Sequence, residues 1–262
     1  MPKISKDFIL TGRRMLPSGS CLMTFVTADG SELPEIAPGQ FVEIKIDDVP
    51  SAMLRRPISV CDVRYGTELI LFVKPLGQGT HHLVSMPEGK KVNIVVPLGH
   101  GFTVGDCKGQ RCLLAGGGVG AAPLVYLTRA LKQAGATVAV VLGGRSASDV
   151  EGVNSLYEAA DAVVVSTDDG SAGSKGVVTL NPIFNGQWDR IYCCGPTPMM
   201  KAVARIARDK STWCEVSLEN HMACGLGACL CCVEHTDDHG NVCVCTEGPV
   251  FNIKRLESWM EK

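Results

Sequence analysis

The sequence feature that most constrains this chain is a group of cysteines near its C-terminus. Six of the 13 cysteines lie between residues 224 and 245, namely Cys224, Cys229, Cys231, Cys232, Cys243 and Cys245. The first loop of this group contains Gly225 and Gly227, where the lack of a Cβ lets a backbone fold tightly. Core cysteines would be scattered along the sequence, so this grouping indicates a bound inorganic centre or a cross-linked loop.

Three interpretations of these cysteines are open. A disulfide framework is typical of small exported proteins, whereas this chain has 262 residues and no apolar signal-peptide segment at its N-terminus. A structural zinc site is compatible with the pairs 229/232 and 243/245 but leaves the glycine loop unexplained. A [2Fe–2S] cluster suits the C-x4-C-x2-C spacing plus one later cysteine, and the glycines let backbone N–H groups point at the sulfurs. Cys231 is expected to be a bystander, because adjacent residues point in different directions.

Composition limits the partners that this chain can bind. Its 25 basic and 27 acidic residues give a net charge of −2, which argues against a nucleic-acid surface and an anionic-membrane anchor. Aromatic residues make up 5%, too few for a base-stacking platform. No segment reaches the roughly 18 apolar residues of a membrane span. The sequence therefore predicts a soluble protein of the reducing cytoplasm, with neither nucleic acid nor membrane as a partner.

The first hundred residues are predicted to form a small antiparallel β-barrel. Short apolar or alternating runs are separated by turn signals such as Pro38-Gly39 and Glu88-Gly89. These runs lie at residues 21–27, 41–46, 68–74 and 91–96. Several short strands at this spacing are typical of a barrel.

Two patterns in this region suit a phosphate-bearing ligand. Arg56 carries a rigid guanidinium fork, and Pro57 holds it in an extended conformation that presents the side chain. Ser59 lies on the same strand face as Pro57 and offers a hydroxyl. Gly79 and Thr80 open a short predicted helix, whose N-terminus can bind an anion. Taken singly, each pattern has an ordinary structural interpretation. The first is equally typical of a strand with surface arginines, and the second of a capped turn.

The middle of the chain is predicted to form an α/β domain. Apolar strands at 111–115, 137–142, 162–166 and 191–194 alternate with helical segments, which implies a parallel sheet with a nucleotide at the strands' C-terminal ends. A glycine turn at 116–120 joins the first strand to a helix, with Pro123 in its first turn. The turn is not a full G-x-G-x-x-G, so a close helix–strand packing turn is the alternative.

In this order, the motifs resemble the ferredoxin–NADP reductase superfamily. The whole chain is similar to the family of electron-transfer subunits of NAD-linked, two-subunit dihydroorotate dehydrogenases. The similarity rests on Leu-Arg-Arg-Pro-Ile-Ser at 54–59, the glycine turn, Cys-Gly-Pro-Thr-Pro-Met-Met at 194–200, the cysteine loop, and Gly-Pro-Val-Phe at 248–251. It implies three parts: an FAD-binding β-barrel at 1–103, an NAD-binding α/β domain at 104–212 and a [2Fe–2S] domain at 213–262.

The same resemblance implies site residues for each cofactor and no separate catalytic residues. The FAD contacts are Arg56, Pro57, Ile58, Ser59, Phe72, Val73, Lys74, Gly79 and Thr80. The NAD(H) contacts are Gly117, Gly118, Gly120, Cys194, Gly195 and Pro196. The cluster ligands are Cys224, Cys229, Cys232 and Cys245. The Gly-Pro-Val-Phe sequence selects Cys245 over Cys243, although Cys231 and Cys243 remain candidates for exchange.

The resemblance also implies a partner, an FMN-containing dihydroorotate dehydrogenase subunit, in a heterotetramer with two copies of each. Electrons would then pass from dihydroorotate through FMN, the cluster and FAD to NAD+, in pyrimidine (UMP) biosynthesis. A ferredoxin:NADP oxidoreductase or a sulfide-dehydrogenase-like subunit is the nearest alternative. Arg145 bears on this choice, because it either faces the 2′-phosphate of NADP or pairs with Asp149. An alternative from another class is a zinc-stabilised nucleotide-sensing or adaptor module without redox turnover.

Overall fold

The computed structural model describes residues 3–47 and 49–261. The predicted ranges 1–103 and 213–262 therefore include four residues outside the described part, Met1, Pro2, Asp48 and Lys262. The chain forms a closed antiparallel barrel, a seven-stranded sheet with helices and a separate two-stranded hairpin. This architecture confirms the predicted fold class of a barrel followed by an α/β domain.

Six strands close the barrel in the order β1-β2-β5-β4-β3-β6. They are β1 (Ile4–Met15), β2 (Cys21–Thr27), β3 (Phe41–Ile44), β4 (Arg56–Arg64), β5 (Glu68–Val73) and β6 (Lys91–Leu98). Helix α1 (Gln78–Ser85) lies between β5 and β6 in the chain, as the glycine-rich turn predicts. Strand β3 alternates as expected, because Val42 and Ile44 fill the barrel interior while Phe41 joins the core of the second domain.

The second domain is built on a sheet of order β10-β9-β8-β7-β11-β12-β15. Its strands are β7 (Arg111–Gly117), β8 (Thr137–Gly144), β9 (Ala162–Thr167), β10 (Ser174–Lys175), β11 (Arg190–Cys194), β12 (Trp213–Ser217) and β15 (Val250–Asn252). Every pairing in this sheet is parallel except that of β15 with β12. The four strands predicted from the apolar runs are therefore confirmed, within about two residues at their ends.

Helices cover both faces of this sheet. They are α2 (Ala122–Gln133), the short α3 (Ala147–Val150) and α4 (Thr197–Asp209). Leu124, Leu127 and Leu131 form the buried stripe of α2, at the spacing that an amphipathic helix requires. Helix α4 buries Met200 and Val203 on the opposite face.

The C-terminal segment packs into the same domain. It contributes the hairpin β13 (Val233–Thr236) and β14 (Gly240–Cys243), with α5 (Val244–Glu247) and α6 (Glu257–Glu261). Cys232 and Cys245 are buried in the same apolar core as α4. The sequence does not predict that β12 and β15 extend the sheet of the second domain. The domain boundaries at 103 and 212 stay predictions.

The barrel and the sheet are joined by polar contacts from helix α2. The Arg129 guanidinium lies 2.7 Å from the buried carboxylate of Asp62 on β4, and the Tyr126 hydroxyl donates to the Ile36 carbonyl at 3.1 Å. These contacts fix the two domains on either side of one cleft.

None of the helices described between residues 3 and 261 has the length and apolar character that a bilayer crossing requires.

Candidate electron-transfer site

One cleft brings together residues from all three predicted parts of the chain. Its volume is about 270 Å³, and it opens between the barrel, the start of α2 and the segment after β12. The predicted FAD residues that line it are Pro57, Ile58, Ser59, Phe72, Lys74 and Thr80. The cleft is therefore large enough and suitably placed to receive part of a flavin nucleotide.

Arg56 and Gly79, from the two phosphate-type motifs, lie side by side. A Cβ built on Gly79 would lie 2.7 Å from Nε of Arg56, so only glycine lets the guanidinium rest on the first turn of α1. Arg56 also donates to the backbone carbonyls of Leu54 and Arg55. This arrangement directs a fixed positive charge toward the N-terminus of α1, where anions bind well.

Two of the predicted flavin residues play a more structural part than the motif suggests. The Thr80 hydroxyl accepts from the N–H groups of Leu76 and Gly77 at 2.9 and 3.1 Å and donates to the Gly77 carbonyl at 3.0 Å, which closes the turn before α1. The Val73 side chain is buried in the barrel interior. A flavin contact by Val73 would therefore have to use its backbone.

The glycine turn of the second domain packs directly on the segment after β11. A Cβ on Gly120 would lie 2.5 Å from the backbone carbonyl of Cys194 and from the amide nitrogen of Gly195. A Cβ on Gly117 would lie 2.5 Å from Sδ of Met199 and 3.1 Å from Cδ of Pro196. The two predicted nucleotide motifs thus form one surface, and Gly118, with φ of +57°, stands open above it.

Titratable groups with raised pKa line the cleft beside this surface. Burial raises the pKa of the Cys194 thiol, so the group is neutral at physiological pH, and its sulfur is hydrogen-bonded to Ser217. Burial also raises the pKa of the Glu219 carboxyl. The wall of the cleft where the two domains meet is consequently less charged than its sequence suggests.

The cysteine loop starts at the edge of this cleft. Asn220 and Met222 line the cleft, and Cys224 follows two residues later. Two residues of backbone span at most about 7 Å. Gly225 and Gly227 adopt φ of +64° and +83°, the left-handed conformation that glycine tolerates best. The predicted tight loop is therefore present and adjoins the cleft.

Three of the four predicted ligand sulfurs accept backbone hydrogen bonds. Leu226 N–H lies 3.4 Å from the Cys224 sulfur, and Gly227 N–H lies 3.2 Å from the Cys245 sulfur. The Cys232 sulfur accepts from the Cys245 N–H at 3.4 Å. Such donors stabilise thiolates and anionic clusters and tune their reduction potential.

The thiols of this group differ in their ease of ionisation. Backbone N–H groups, that of Leu226 foremost, lower the pKa of the Cys224 thiol to about 6. Burial raises the pKa of the Cys245 thiol to about 12, so iron binding must release its proton. Cys229 and Cys231 are exposed, whereas Cys232 and Cys245 are buried.

The loop that carries these cysteines fits a [2Fe–2S] cluster. A structural zinc needs four ligands around one ion, whereas a [2Fe–2S] cluster spreads four cysteines over two irons. The glycine loop and the backbone donors described above fit a cluster.

Comparisons with known proteins agree with this site. The family model of the iron–sulfur cluster binding domain of dihydroorotate dehydrogenase B matches residues 219–257. Dihydroorotate dehydrogenase B (NAD(+)), electron transfer subunit, from Shouchella clausii is 38% identical over 224 residues, covering 82% of this chain and 85% of that protein. The Bacillus cereus subunit of the same name is 39% identical over 223 residues, with the same coverage.

A solved structure shows the same architecture over nearly the whole chain. It is that of an NADH-dependent reduced ferredoxin–NADP oxidoreductase, with a TM-score of 0.80 and 30% identity. The alignment covers 97% of this chain and 94% of that chain.

The chain combines a closed barrel, a parallel-sheet domain whose glycine turn faces the barrel across a cleft, and an adjoining iron–sulfur domain. This combination defines an electron-transfer reductase of the ferredoxin–NADP reductase type. Within that class, the chain belongs to the family of dihydroorotate dehydrogenase B (NAD(+)) electron transfer subunits. This result confirms the predicted family, fold and oxidoreductase class.

The structure adds cleft residues that sequence reasoning missed. They include Phe41, Ser217, Glu219, Asn220 and Met222. A signal for four of them was present, because the polar segment 217–222 follows the end of a strand, and the C-terminal ends of parallel strands form binding sites. Arg145 lies with Nε 3.6 Å from Asp149, and its side chain is 83% exposed, which matches the ion-pair alternative.

Proposed function

We propose that this chain is the electron-transfer subunit of an NAD-dependent dihydroorotate dehydrogenase and passes electrons from a catalytic partner subunit to NAD+ in pyrimidine biosynthesis. The observation that carries the proposal is the junction at Met222, where the lining of the cleft continues within two residues into the cysteine loop. Family membership supports it over the ferredoxin:NADP oxidoreductase and sulfide-dehydrogenase-like alternatives.

The chain works with FAD, a [2Fe–2S] cluster and NAD(H), and the comparisons confirm this predicted set. Bound FAD supplies two-electron hydride chemistry, and a bound [2Fe–2S] cluster supplies one-electron transfer. A subunit that holds both can therefore convert between paired and single electrons. The residues of the chain have to bind and orient these groups and keep water from them.

On the barrel side, Arg56 and Gly79 would hold the flavin pyrophosphate at the start of α1. Pro57, Ile58, Ser59, Phe72 and Lys74 would wall the cleft around the ring system, with Thr80 shaping the turn and Val73 contributing its backbone. The charge-assisted hydrogen bonds of arginine to a pyrophosphate are among the stronger ones in proteins.

On the sheet side, Gly117, Gly118 and Gly120 would let the nicotinamide nucleotide approach the backbone closely. The segment Cys194–Pro196, held against that turn, would direct its reactive ring toward the flavin. The neutral Cys194 thiol excludes water there without adding charge. The name of the homologous subunits, which specifies NAD(+), supports NAD(H) as the nucleotide, and the pairing of Arg145 with Asp149 is compatible with it.

The cluster would be held by Cys224, Cys229, Cys232 and Cys245. The buried sulfurs of Cys232 and Cys245 would anchor it to the core, while Cys229 lies at the surface. Leu226 and Leu230, 51% and 64% exposed, flank this surface. Since electron tunnelling requires short gaps, the FMN-containing catalytic subunit would dock here, with two copies of each subunit in a heterotetramer.

The proposed organisation is a flavin barrel at 1–103, a nucleotide domain at 104–212 and a cluster domain at 213–262. The third unit is the least independent of the three, because β12 and β15 lie in the sheet of the second.

We place the protein in the cytoplasm, where its 13 cysteines stay reduced and clusters can be assembled.

Reconstitution with an FMN-containing dihydroorotate dehydrogenase subunit tests the function. The anaerobically purified complex should reduce NAD+ when dihydroorotate is added, and the isolated chain should not. A rival function would appear as faster turnover with NADP+ and reduced ferredoxin than with NAD+ and the dihydroorotate-reduced partner. A chain that binds the partner and all its cofactors but yields no NADH would contradict the proposal.

A further inference from the structure

Cys243 lies among the predicted cluster ligands although it is not one of them. Its sulfur is 3.8 Å from the Gly227 carbonyl oxygen, to which its thiol donates. Cys243 pairs with Val233, the residue after Cys232, and the Val244 N–H donates to the Cys232 carbonyl at 3.0 Å, so this segment lies beside the cysteine loop. The site therefore contains five thiols where a [2Fe–2S] cluster needs four.

Cys243 and Cys245 approach the cysteine loop at the same residue. The Gly227 N–H points at the Cys245 sulfur from 3.2 Å, and the Gly227 carbonyl faces the Cys243 sulfur. Between them, Val244 is fully buried in the core and fixes the backbone of this segment. The two sulfurs thus stand on either side of one glycine, on the same short segment.

The other spare cysteine, Cys231, is placed differently. It is exposed, next to Leu230, whose φ of +57° turns the chain sharply before it. Cys243 is only partly exposed and sits at the junction of β14 and α5. The structure thus separates two cysteines that the sequence leaves equivalent.

We propose that Cys243 is a reserve iron ligand, which takes the fourth coordination position when Cys245 is replaced by a residue that cannot bind iron. The inference rests on the proposed cluster at Cys224, Cys229, Cys232 and Cys245. In the exchange, the Cys243 thiol would lose its proton to solvent, and its thiolate would take the position that Cys245 holds in the wild type. The oxidation states of both irons are unchanged.

Cys245→Ala, alone and combined with Cys243→Ala or Cys231→Ala, tests the assignment. Each protein is reconstituted anaerobically and assayed for iron, acid-labile sulfide, FAD and the EPR spectrum after reduction. Cys245→Ala should keep at least half of the wild-type iron and sulfide, with shifted g values that report the new ligand. Adding Cys243→Ala should lower cluster content at least tenfold, whereas adding Cys231→Ala should not change it.

FAD content shows whether each variant is folded. If Cys245→Ala does not retain FAD, Cys245→Val replaces it in all combinations, because valine fills the buried position but cannot bind iron. Equal cluster content with and without Cys243 would overturn the reserve-ligand proposal, as would complete cluster loss in folded Cys245→Ala. Absence of iron and sulfide from the wild-type chain would instead overturn the proposed function.

Discussion

Gly225 of the cysteine loop lies directly against the side chain of Glu43 on barrel strand β3. A Cβ on Gly225 would lie 2.8 Å from Cγ and 3.1 Å from Oε1 of that glutamate. Glu43 is 1% exposed, and burial raises the pKa of its carboxyl to about 7, against the opposing influence of Arg55. The barrel wall thus supports the loop that would hold the cluster.

Gly225→Ala is expected to reduce cluster content strongly while FAD content stays near the wild-type level. The substitution places a Cβ on Glu43 and forces alanine into φ near +64°, which costs about 1–2 kcal/mol on its own. Iron, sulfide and FAD analysis of the purified variant measures both effects.

Glu43→Ala separates the two causes. It should restore part of the cluster content of Gly225→Ala, because it removes the two closest contacts and leaves the backbone strain and the 3.2 Å contact with Cδ1 of Leu98. Unchanged cluster content in the double variant would show that the contact with Glu43 does not limit this loop. Full cluster content in Gly225→Ala alone would show that the loop needs no glycine there.

Arg56→Ala is expected to weaken FAD binding about ten- to a hundredfold. A hydrogen bond to a charged group contributes about 1.5–3 kcal/mol, and each 1.4 kcal/mol is about a factor of ten in affinity. Arg64→Ala is the matched control, because Arg64 lies on the same strand but pairs with Asp62 at 3.2 Å. Fluorescence titration of the FAD-free protein gives both dissociation constants, and equal values for the two variants would exclude Arg56 as the pyrophosphate ligand.

Much of the fold could be predicted because its signals are local. The apolar stripe of α2, the alternation of β3 and the turn at Gly79 each depend on neighbouring residues in the sequence. Sheet extension by β15 could not be predicted in this way, since three residues carry too little pattern and the pairing with β12 spans a long loop.

The candidate site shows the same division. Spacing alone predicted that Cys224, Cys229 and Cys232 act together, and the structure brings their loop to the cleft. The contact of Gly225 with Glu43 could not be predicted, because it joins residues almost two hundred positions apart in sequence. Sequence could not distinguish Cys231 from Cys243 either, because the contact of Cys243 with Gly227 depends on how the chain folds back after the cysteine loop.

Glu215→Gln is expected to flatten the pH dependence of stability. Glu215 on β12 accepts from the Thr103 N–H at 2.9 Å and from the Thr103 hydroxyl at 2.7 Å, and burial raises the pKa of its carboxyl. The folded state therefore holds this proton more tightly than the unfolded state. The contribution of this group to the free energy of unfolding is fully present below the ordinary glutamate pKa of about 4.3. It falls as the pH rises from there through the raised pKa of Glu215.

Thermal unfolding of the wild type and of Glu215→Gln between about pH 4 and 8 measures the effect. The melting temperature of the wild type should fall more than that of the variant as pH rises. Glu32→Gln, at an exposed carboxyl, is the control for loss of a charge. Parallel curves for the wild type and Glu215→Gln would contradict the prediction.

Cys229→Ser is expected to abolish the cluster but to leave NADH-dependent reduction of FAD, because Cys229 lies on the exposed loop and takes no part in lining the cleft. Cys243 should not rescue this variant, since it shares the segment of Cys245 rather than the loop of Cys229. Cys231→Ser, two residues away and equally exposed, should keep the wild-type cluster. EPR of the reduced proteins reports the cluster, and stopped-flow absorbance after mixing with NADH reports the flavin. A normal reduced-cluster signal in Cys229→Ser would refute the ligand assignment, whereas loss of flavin reduction would show that the loop also shapes the nucleotide site.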